Sequence, residues 1–227
     1  VRRWPIYFWL LLLWQCQQGE NNRLDADPEP ELPVLRYLAL GDSYTIGTGL
    51  EPETAYPWLL RDSLQKALGT DEVELRVIAQ NGWTTADLRQ GIRLAAPDSN
   101  FDRVSLLIGV NNQYQNRRLN EYRLQYEALL RLAIDLAQGQ KKQVLAISIP
   151  DWGVSPAGAM RRVQIGVEID AFNAINRRIA DSLGVAYADI TPLSRTAEGQ
   201  AALIAADSLH FSAQMHKLWA ELLFPFL

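Results

Sequence analysis

A serine and an Asp–His pair, far apart in the sequence, have the types and spacing that nucleophilic catalysis requires. Ser43 follows an apolar run in Gly41-Asp42-Ser43, and Asp207 stands three residues before His210. A carboxylate at that spacing can fold back in one turn and accept the Nδ1–H of the imidazole, which leaves Nε2 to take a proton from a serine. We therefore predict Ser43 as the nucleophile, His210 as the general base and Asp207 as the residue that orients the base.

Three groups can stabilise the oxyanion that such an attack creates. They are the backbone N–H of Ser43 at the start of a helix, the backbone N–H of Gly82 and the side-chain amide of Asn111. Taken singly, each is also an ordinary turn residue, because Gly, Asp, Asn and Ser all favour turns. Their joint occurrence after successive apolar runs predicts acyl transfer through a tetrahedral intermediate.

Two further residues compete for catalytic roles. His216 is the rival base, but it stands beside Met215 and Trp219 in an amphipathic run, which is typical of a position on the flank of a helix. Asp151 has no histidine near it in sequence. The chain contains two histidines and one cysteine, so a multi-histidine metal site and the Cys/His spacings of zinc sites are excluded.

Short apolar runs alternate with longer amphipathic stretches from residue 34 onward. The runs predict strands over 34–40, 73–79, 104–108, 143–149 and 185–188, and the stretches predict helices over 56–68, 85–94, 122–138, 168–183 and 212–224. Strand–helix alternation favours an α/β fold in which a parallel sheet lies between two layers of helices. Sites in such sheets form at the carboxyl ends of the strands, and this is where the candidate residues stand.

These residues fall into four blocks, and the sequence resembles the SGNH (GDSL-type) hydrolases over roughly residues 34–226. The blocks match in order at Leu40-Gly41-Asp42-Ser43, Gly82, Gly109-Val110-Asn111-Asn112 and Asp207-Ser208-Leu209-His210. The resemblance implies a flavodoxin-like three-layer α/β/α sandwich with a five-stranded parallel sheet. It also implies ester or thioester hydrolysis by a serine esterase without a metal or cofactor.

Three residues differ from the family pattern. Asn112 stands where the third block usually has an aspartate, and Ser208 and Phe211 stand where the last block usually has a glycine and a proline. None of the three supplies a catalytic atom. The differences therefore bear on the geometry of the loops and leave the expected reaction class unchanged.

Substrate contacts are expected from residues that follow the strands, namely Trp83, Gln113, Tyr114 and Trp152. For Trp152, packing over the sheet edge is an equal alternative, because a buried Trp mostly serves packing. The segment 156–162 can cover the site. Without a long apolar lid, a small acyl ester is favoured, such as acetyl on a sugar. A thioesterase or lysophospholipase acting on lipid acyl groups is one alternative, and a non-catalytic glycan- or lipid-binding module is another.

The first 33 residues differ from the rest of the chain. Arg2 and Arg3 precede an apolar run over 4–14, which at eleven residues is about half of the roughly 20 needed to span a bilayer. This pattern predicts a secretory signal over 1–16. Cys16 at its end resembles the lipidated cysteine of a bacterial lipoprotein, although Gln15 stands where a small residue is usual. The alternative is an ordinary signal peptide with an incidental cysteine.

The polar, proline-containing stretch over 17–33 predicts a flexible tether, which leaves a catalytic domain over 34–227. We therefore expect an extracytoplasmic protein that is anchored to a membrane through its N-terminal lipid. The net charge is −4, and the sequence has no basic block. A nucleic-acid partner is not expected, because phosphate binding needs a concentrated basic surface.

Overall fold

The computed structural model describes Val1 and residues 34–70 and 72–227. Residues 34–227 contain a five-stranded sheet in which every pairing is parallel, in the order β2-β1-β3-β4-β5. The strands are β1 (Leu35–Gly41), β2 (Val73–Ala79), β3 (Arg103–Leu107), β4 (Val144–Ile147) and β5 (Ala186–Ala188). The predicted five-stranded parallel sheet is therefore confirmed.

Eight α-helices occur in this part of the chain, and the longer ones form two layers. Helices α2 and α8 pack on each other, as do α3 with α5 and α5 with α6, while α2 and α3 both contact β2. The sheet therefore lies between the layers. The helices are α1 (Ser43–Ile46), α2 (Tyr56–Leu68), α3 (Thr85–Ala95), α4 (Val110–Tyr114), α5 (Leu119–Leu136), α6 (Arg162–Leu183), α7 (Thr191–Arg195) and α8 (Ala213–Leu223).

The predicted starts of two helices were wrong. Helix α5 begins at Leu119 rather than at 122, and α6 begins at Arg162 rather than at 168. Most residues before the predicted starts are exposed: Leu119 is 42% exposed, and Val163 and Val167 are 82% and 66% exposed, although Ile165 is buried. A single buried side chain does not make an apolar stripe, so the hydrophobic pattern becomes clear only farther along each helix.

The strand order gives the sheet a topological switch point between β1 and β3. The chain leaves β1 for β2 on one side and then returns to β3 on the other side of β1. In open parallel sheets a crevice forms at such a point, outside the carboxyl ends of the strands. Ser43 follows β1 and Asn111 follows β3, so both residues stand beside this crevice.

The predicted signal segment over 1–16 with Cys16, and the tether over 17–33, lie outside the described residues apart from Val1. Among the helices that the structure describes, none combines the length and the apolar character needed to cross a bilayer.

The carboxyl end of β1 packs tightly against its neighbours. A Cβ atom added to Gly41 would lie 1.9 Å from Thr45 Oγ1 and 2.5 Å from the carbonyl oxygen of Leu107. The second contact is with the backbone of β3, which cannot rotate away as a side chain can. Gly41 therefore allows the turn before Ser43 to lie close against the sheet.

Replacing Gly41 with Ala should lower the free energy of unfolding by about 3 kcal/mol or more, because the added methyl group overpacks a closed site. Urea denaturation followed by circular dichroism measures this loss. Gly69→Ala is the control: Gly69 has φ 65° but no atom within 4 Å of an added Cβ, so only backbone strain of about 1–2 kcal/mol is expected. A Gly41→Ala loss no larger than that of the control would contradict the packing argument.

Candidate active site

Ser43 is the first residue of α1, directly beyond the end of β1. The Asp42 carboxylate caps this helix by accepting the Tyr44 N–H at 3.1 Å. The first N–H of a helix has no acceptor within the helix, so the Ser43 amide is free to bind an oxyanion. The serine is only 6% exposed, and its hydroxyl opens into a small pocket.

Asp207 and His210 form the short contact that their spacing predicts. The Asp207 Oδ2 atom lies 2.5 Å from His210 Nδ1, while Oδ1 accepts the backbone N–H groups of Leu209 and His210, both at 2.9 Å. Partial burial opposes the ionised carboxylate, but these three hydrogen bonds outweigh it and hold the pKa of Asp207 below its usual value. The ionised carboxylate orients the imidazole and leaves Nε2 available.

The two loop residues that differ from the family pattern have clear local roles. Ser208 has φ 63°, in the left-handed region that favours glycine, which explains the usual residue at this position. Phe211 is fully buried between Tyr44 and Trp219, with ring centroids 5.9 and 5.2 Å away. The loop that carries Asp207 and His210 is thus held by aromatic packing on α1 and α8.

The pocket at Ser43 has a volume of about 210 Å³ and brings the candidate groups together. It is lined by Ser43, Tyr44, Val110, Asn111, Tyr114, Trp152, Leu209 and His210. A larger cavity of about 550 Å³ beside Arg162 and Gln200 is lined by none of the three predicted catalytic residues. Chemistry rather than size therefore identifies the smaller pocket as the candidate active site.

The side-chain amide of Asn111 is oriented by the backbone. Its Nδ2 donates to the carbonyl oxygen of Trp83 at 3.0 Å, and an amide nitrogen has a second N–H to offer. Asn111 lies in α4, whose N-cap residue Gly109 has φ 131° and would place a Cβ only 2.4 Å from Tyr122 Oη. Gly82, the other predicted donor, follows β2 with φ 79° and is exposed, and it does not line the pocket.

Asn112, which stands where the family usually has an aspartate, joins the β3–α4 turn to α3. Its Oδ1 accepts the Thr85 N–H at 3.0 Å, and its Nδ2 donates to Thr85 Oγ1 at 2.9 Å. The Thr85 hydroxyl in turn donates to Gln125. An amide suits this position because it accepts from the helix N-terminus and donates to the hydroxyl at once.

The four predicted substrate contacts occupy different environments. Tyr114 and Trp152 line the pocket, with their ring centroids 5.5 Å apart. Gln113 is buried behind them and accepts the Trp152 indole N–H at 2.8 Å. Trp83 does not line the pocket, because its ring packs on α3, where a Cβ at Gly91 would lie 2.2 Å from it.

Two residues near the site were not predicted from the sequence. Tyr44 presents its ring to His210 with the centroids 5.5 Å apart, and its position next to Ser43 was the one available signal. Glu168 accepts the Gln113 amide at 2.5 Å across 55 residues of sequence, for which no local pattern exists.

The rival candidates have structural roles. His216 is buried against Trp219, and its Nδ1 accepts the Tyr56 N–H at 3.1 Å, which caps α2. Burial, together with the charge of His210, lowers the pKa of His216 to about 3, so it stays neutral. Asp151 is buried and paired with Arg195 at 2.8 Å. In the described ranges 34–70 and 72–227, no cluster of three or more His, Cys, Asp or Glu side chains is placed to hold a metal ion.

Comparison with known proteins agrees with this geometry. The sequence profile of the GDSL-like lipase/acylhydrolase family matches residues 39–218. No protein of curated function matches the sequence.

Three solved structures show the same fold at low sequence identity. A lipase/acylhydrolase from Enterococcus faecalis is 21% identical and has a TM-score of 0.64, with 84% of this chain and 94% of the other covered. An acetyl xylan esterase is 20% identical with a TM-score of 0.65, covering 84% and 98%. A psychrotrophic esterase from Pseudoalteromonas sp. is 17% identical with a TM-score of 0.59, covering 84% and 94%.

The buried carboxyl group of Asp42 makes the stability of the fold depend on pH. It is fully buried, and its Oδ2 has no hydrogen-bond partner among the described residues. Burial raises the pKa of Asp42 from 3.8 to about 7, against the opposing effect of the Tyr44 N–H. Between these two values the unfolded chain has lost a proton that the folded protein keeps, so stability falls as pH rises through this window.

Asp42→Asn should remove this pH dependence. The free energy of unfolding of the variant, measured relative to the wild type by urea denaturation, should rise by on the order of 2–4 kcal/mol from pH 4 to pH 7.5. Other titrating groups are common to both proteins and cancel in the difference. Parallel stability curves for the two proteins would show that Asp42 does not retain its proton on folding.

Proposed function

Because this chain belongs to the GDSL-like lipase/acylhydrolase family and is a serine ester hydrolase, we propose that it removes a small acyl group from a hydroxyl of a glycan. The observation that carries the proposal is the pocket of about 210 Å³ that Ser43, Asn111 and His210 share. Tyr114 and Trp152 also line it, and their rings limit the space available to an acyl chain.

The groups at this pocket perform the reaction in two halves. Ser43 Oγ attacks the ester carbonyl carbon while His210 Nε2 takes its proton, and the Asp207 carboxylate stabilises the imidazolium. The Ser43 N–H group and the Asn111 amide, both of which line the pocket, stabilise the oxyanion. His210 then protonates the leaving alcohol, and water repeats the sequence on the acyl-enzyme to release the acid.

Two observations support an acetylated glycan over a lipid acyl group as the substrate. The small volume of the pocket favours a short acyl group, and one of the structurally similar proteins is an acetyl xylan esterase. Thioesterase or lysophospholipase activity remains the second candidate, because a further apolar pocket lies behind Trp152. A non-catalytic binding module has no need of a nucleophile, a base and an ordered oxyanion donor in one pocket.

Ser43→Ala should abolish hydrolysis of p-nitrophenyl acetate and release of acetate from an acetylated glycan, with a loss of about 10³-fold or more in kcat. His210→Ala should do the same, and Asn111→Ala should cost roughly 10²–10³-fold, the scale for one oxyanion donor. Ser63→Ala on α2 is the matched control and should retain activity, since its hydroxyl bonds to the carbonyl oxygen of Leu59. Near-wild-type turnover by Ser43→Ala would refute the mechanism.

We also propose that the domain works outside the cytoplasm, held to a membrane by a lipid on Cys16. The support is the basic start, the short apolar run over 4–14 and the cysteine that follows it. Detergent phase partitioning of the full chain expressed in a bacterium tests this. The wild type should enter the detergent phase and Cys16→Ser the aqueous phase, and equal partitioning of both would contradict the anchor.

A further inference from the structure

A second pocket lies directly behind the wall of the first. It has a volume of about 220 Å³, close to the 210 Å³ of the pocket at Ser43. Tyr114, Trp152 and Leu209 line both pockets, so they form a shared wall. A smaller side chain at position 152 would enlarge the space open to a group bound at Ser43.

The Trp152 indole is held in place by a chain of hydrogen bonds that runs from the buried indole out to the partly exposed Glu168. Its Nε1–H donates to Gln113 Oε1 at 2.8 Å, and Gln113 Nε2 donates to Glu168 Oε2 at 2.5 Å. Glu168 Oε1 also accepts Gln164 Nε2 at 2.8 Å, so both carboxylate oxygens are used. Trp152 is only 5% exposed. The wall is therefore fixed from α4 and α6 rather than left to rotate.

The second pocket is lined mostly by apolar side chains. Apart from the three shared side chains, it is lined by the buried Ile165, by Ala157 and Met160, which are exposed, and by the side chain of Arg161. Because Gln113 occupies the indole N–H, Trp152 presents only carbon to either pocket. A sugar would lose hydrogen bonds to water in such a space, whereas methylene groups would gain from burial.

We propose that Trp152 sets the acyl chain length that this enzyme accepts, and that the pocket behind it is an apolar acyl subsite that the indole closes. Gln113 and Glu168 are positioning residues, because they act on the substrate only through Trp152. The segment 156–162, expected from the sequence to cover the site, instead contributes Ala157, Met160 and Arg161 to this subsite. The proposal rests on the proposed function in one respect: the acyl group must bind at Ser43.

Kinetics with p-nitrophenyl acetate, butyrate and octanoate test the proposal, because the leaving group stays the same while the acyl chain grows. In Trp152→Ala the ratio of kcat/KM for octanoate to that for acetate should rise at least about tenfold, the scale for fitting added methylenes into an apolar pocket. Trp152→Phe should raise it less. Trp58→Ala on α2, which removes an indole that lines neither pocket, should leave the ratio unchanged.

Variants of the positioning residues test the same proposal and do not require that the Trp152→Ala protein folds. Glu168→Ala removes the acceptor for Gln113, so the octanoate-to-acetate ratio should rise several-fold. Glu168→Gln keeps an acceptor oxygen and should restore the wild-type ratio. A general loss of stability in Glu168→Ala would lower turnover of all three esters together and would leave the ratio unchanged.

An unchanged ratio in folded Trp152→Phe and Glu168→Ala would overturn the proposal. The proposal would also be overturned if kcat/KM in these variants changed with the length of the alcohol in a series of acetate esters and not with the length of the acyl chain. Failure of the proposed function gives a different result: either the wild type would not hydrolyse the acetate ester, or Ser43→Ala would hydrolyse it equally well.

Discussion

The parallel pairing of β1 with a strand on each side is the constraint on which the site depends. Hydrogen bonding to β2 and β3 aligns the carboxyl ends of three strands at one edge. Ser43 and Asn111 are 68 residues apart in sequence, yet each stands just beyond one of two adjacent strands. The close packing around Gly41 holds the turn before Ser43 against the sheet, so Ser43 reaches the pocket without a long loop.

Buried polar contacts then fix the loops that the sheet brings together. Asn112 joins the turn after β3 to the start of α3, and the Trp83 carbonyl oxygen orients the amide of Asn111. On the other side, the Asp207 carboxylate accepts two backbone N–H groups of its own loop as well as the imidazole. Each unmet hydrogen bond of this kind would cost about 1–3 kcal/mol, which favours one arrangement of the site over others.

Sequence reasoning predicted those features of the molecule that depend on residues close together in the chain. The strands were visible as apolar runs because both faces of the sheet are covered, and Asp207 with His210 was visible because three residues make one turn. The largely exposed starts of α5 and α6 carried no such signal. Trp83 and Trp152 were indistinguishable as tryptophans after strands, and only the tertiary packing shows that one covers α3 while the other walls the pocket. The contact of Gln113 with Glu168 likewise exists only in the folded chain.

The neutral, buried state of His216 has a practical consequence for spectroscopy. The chain contains two imidazoles, and one of them is fixed as an acceptor for the Tyr56 N–H over the pH range in which enzymes are usually assayed. In an NMR titration over that range, the His216 imidazole should therefore stay in its neutral form. Its ring signals can then serve, in the unmodified protein, as an internal reference for a buried, hydrogen-bonded imidazole.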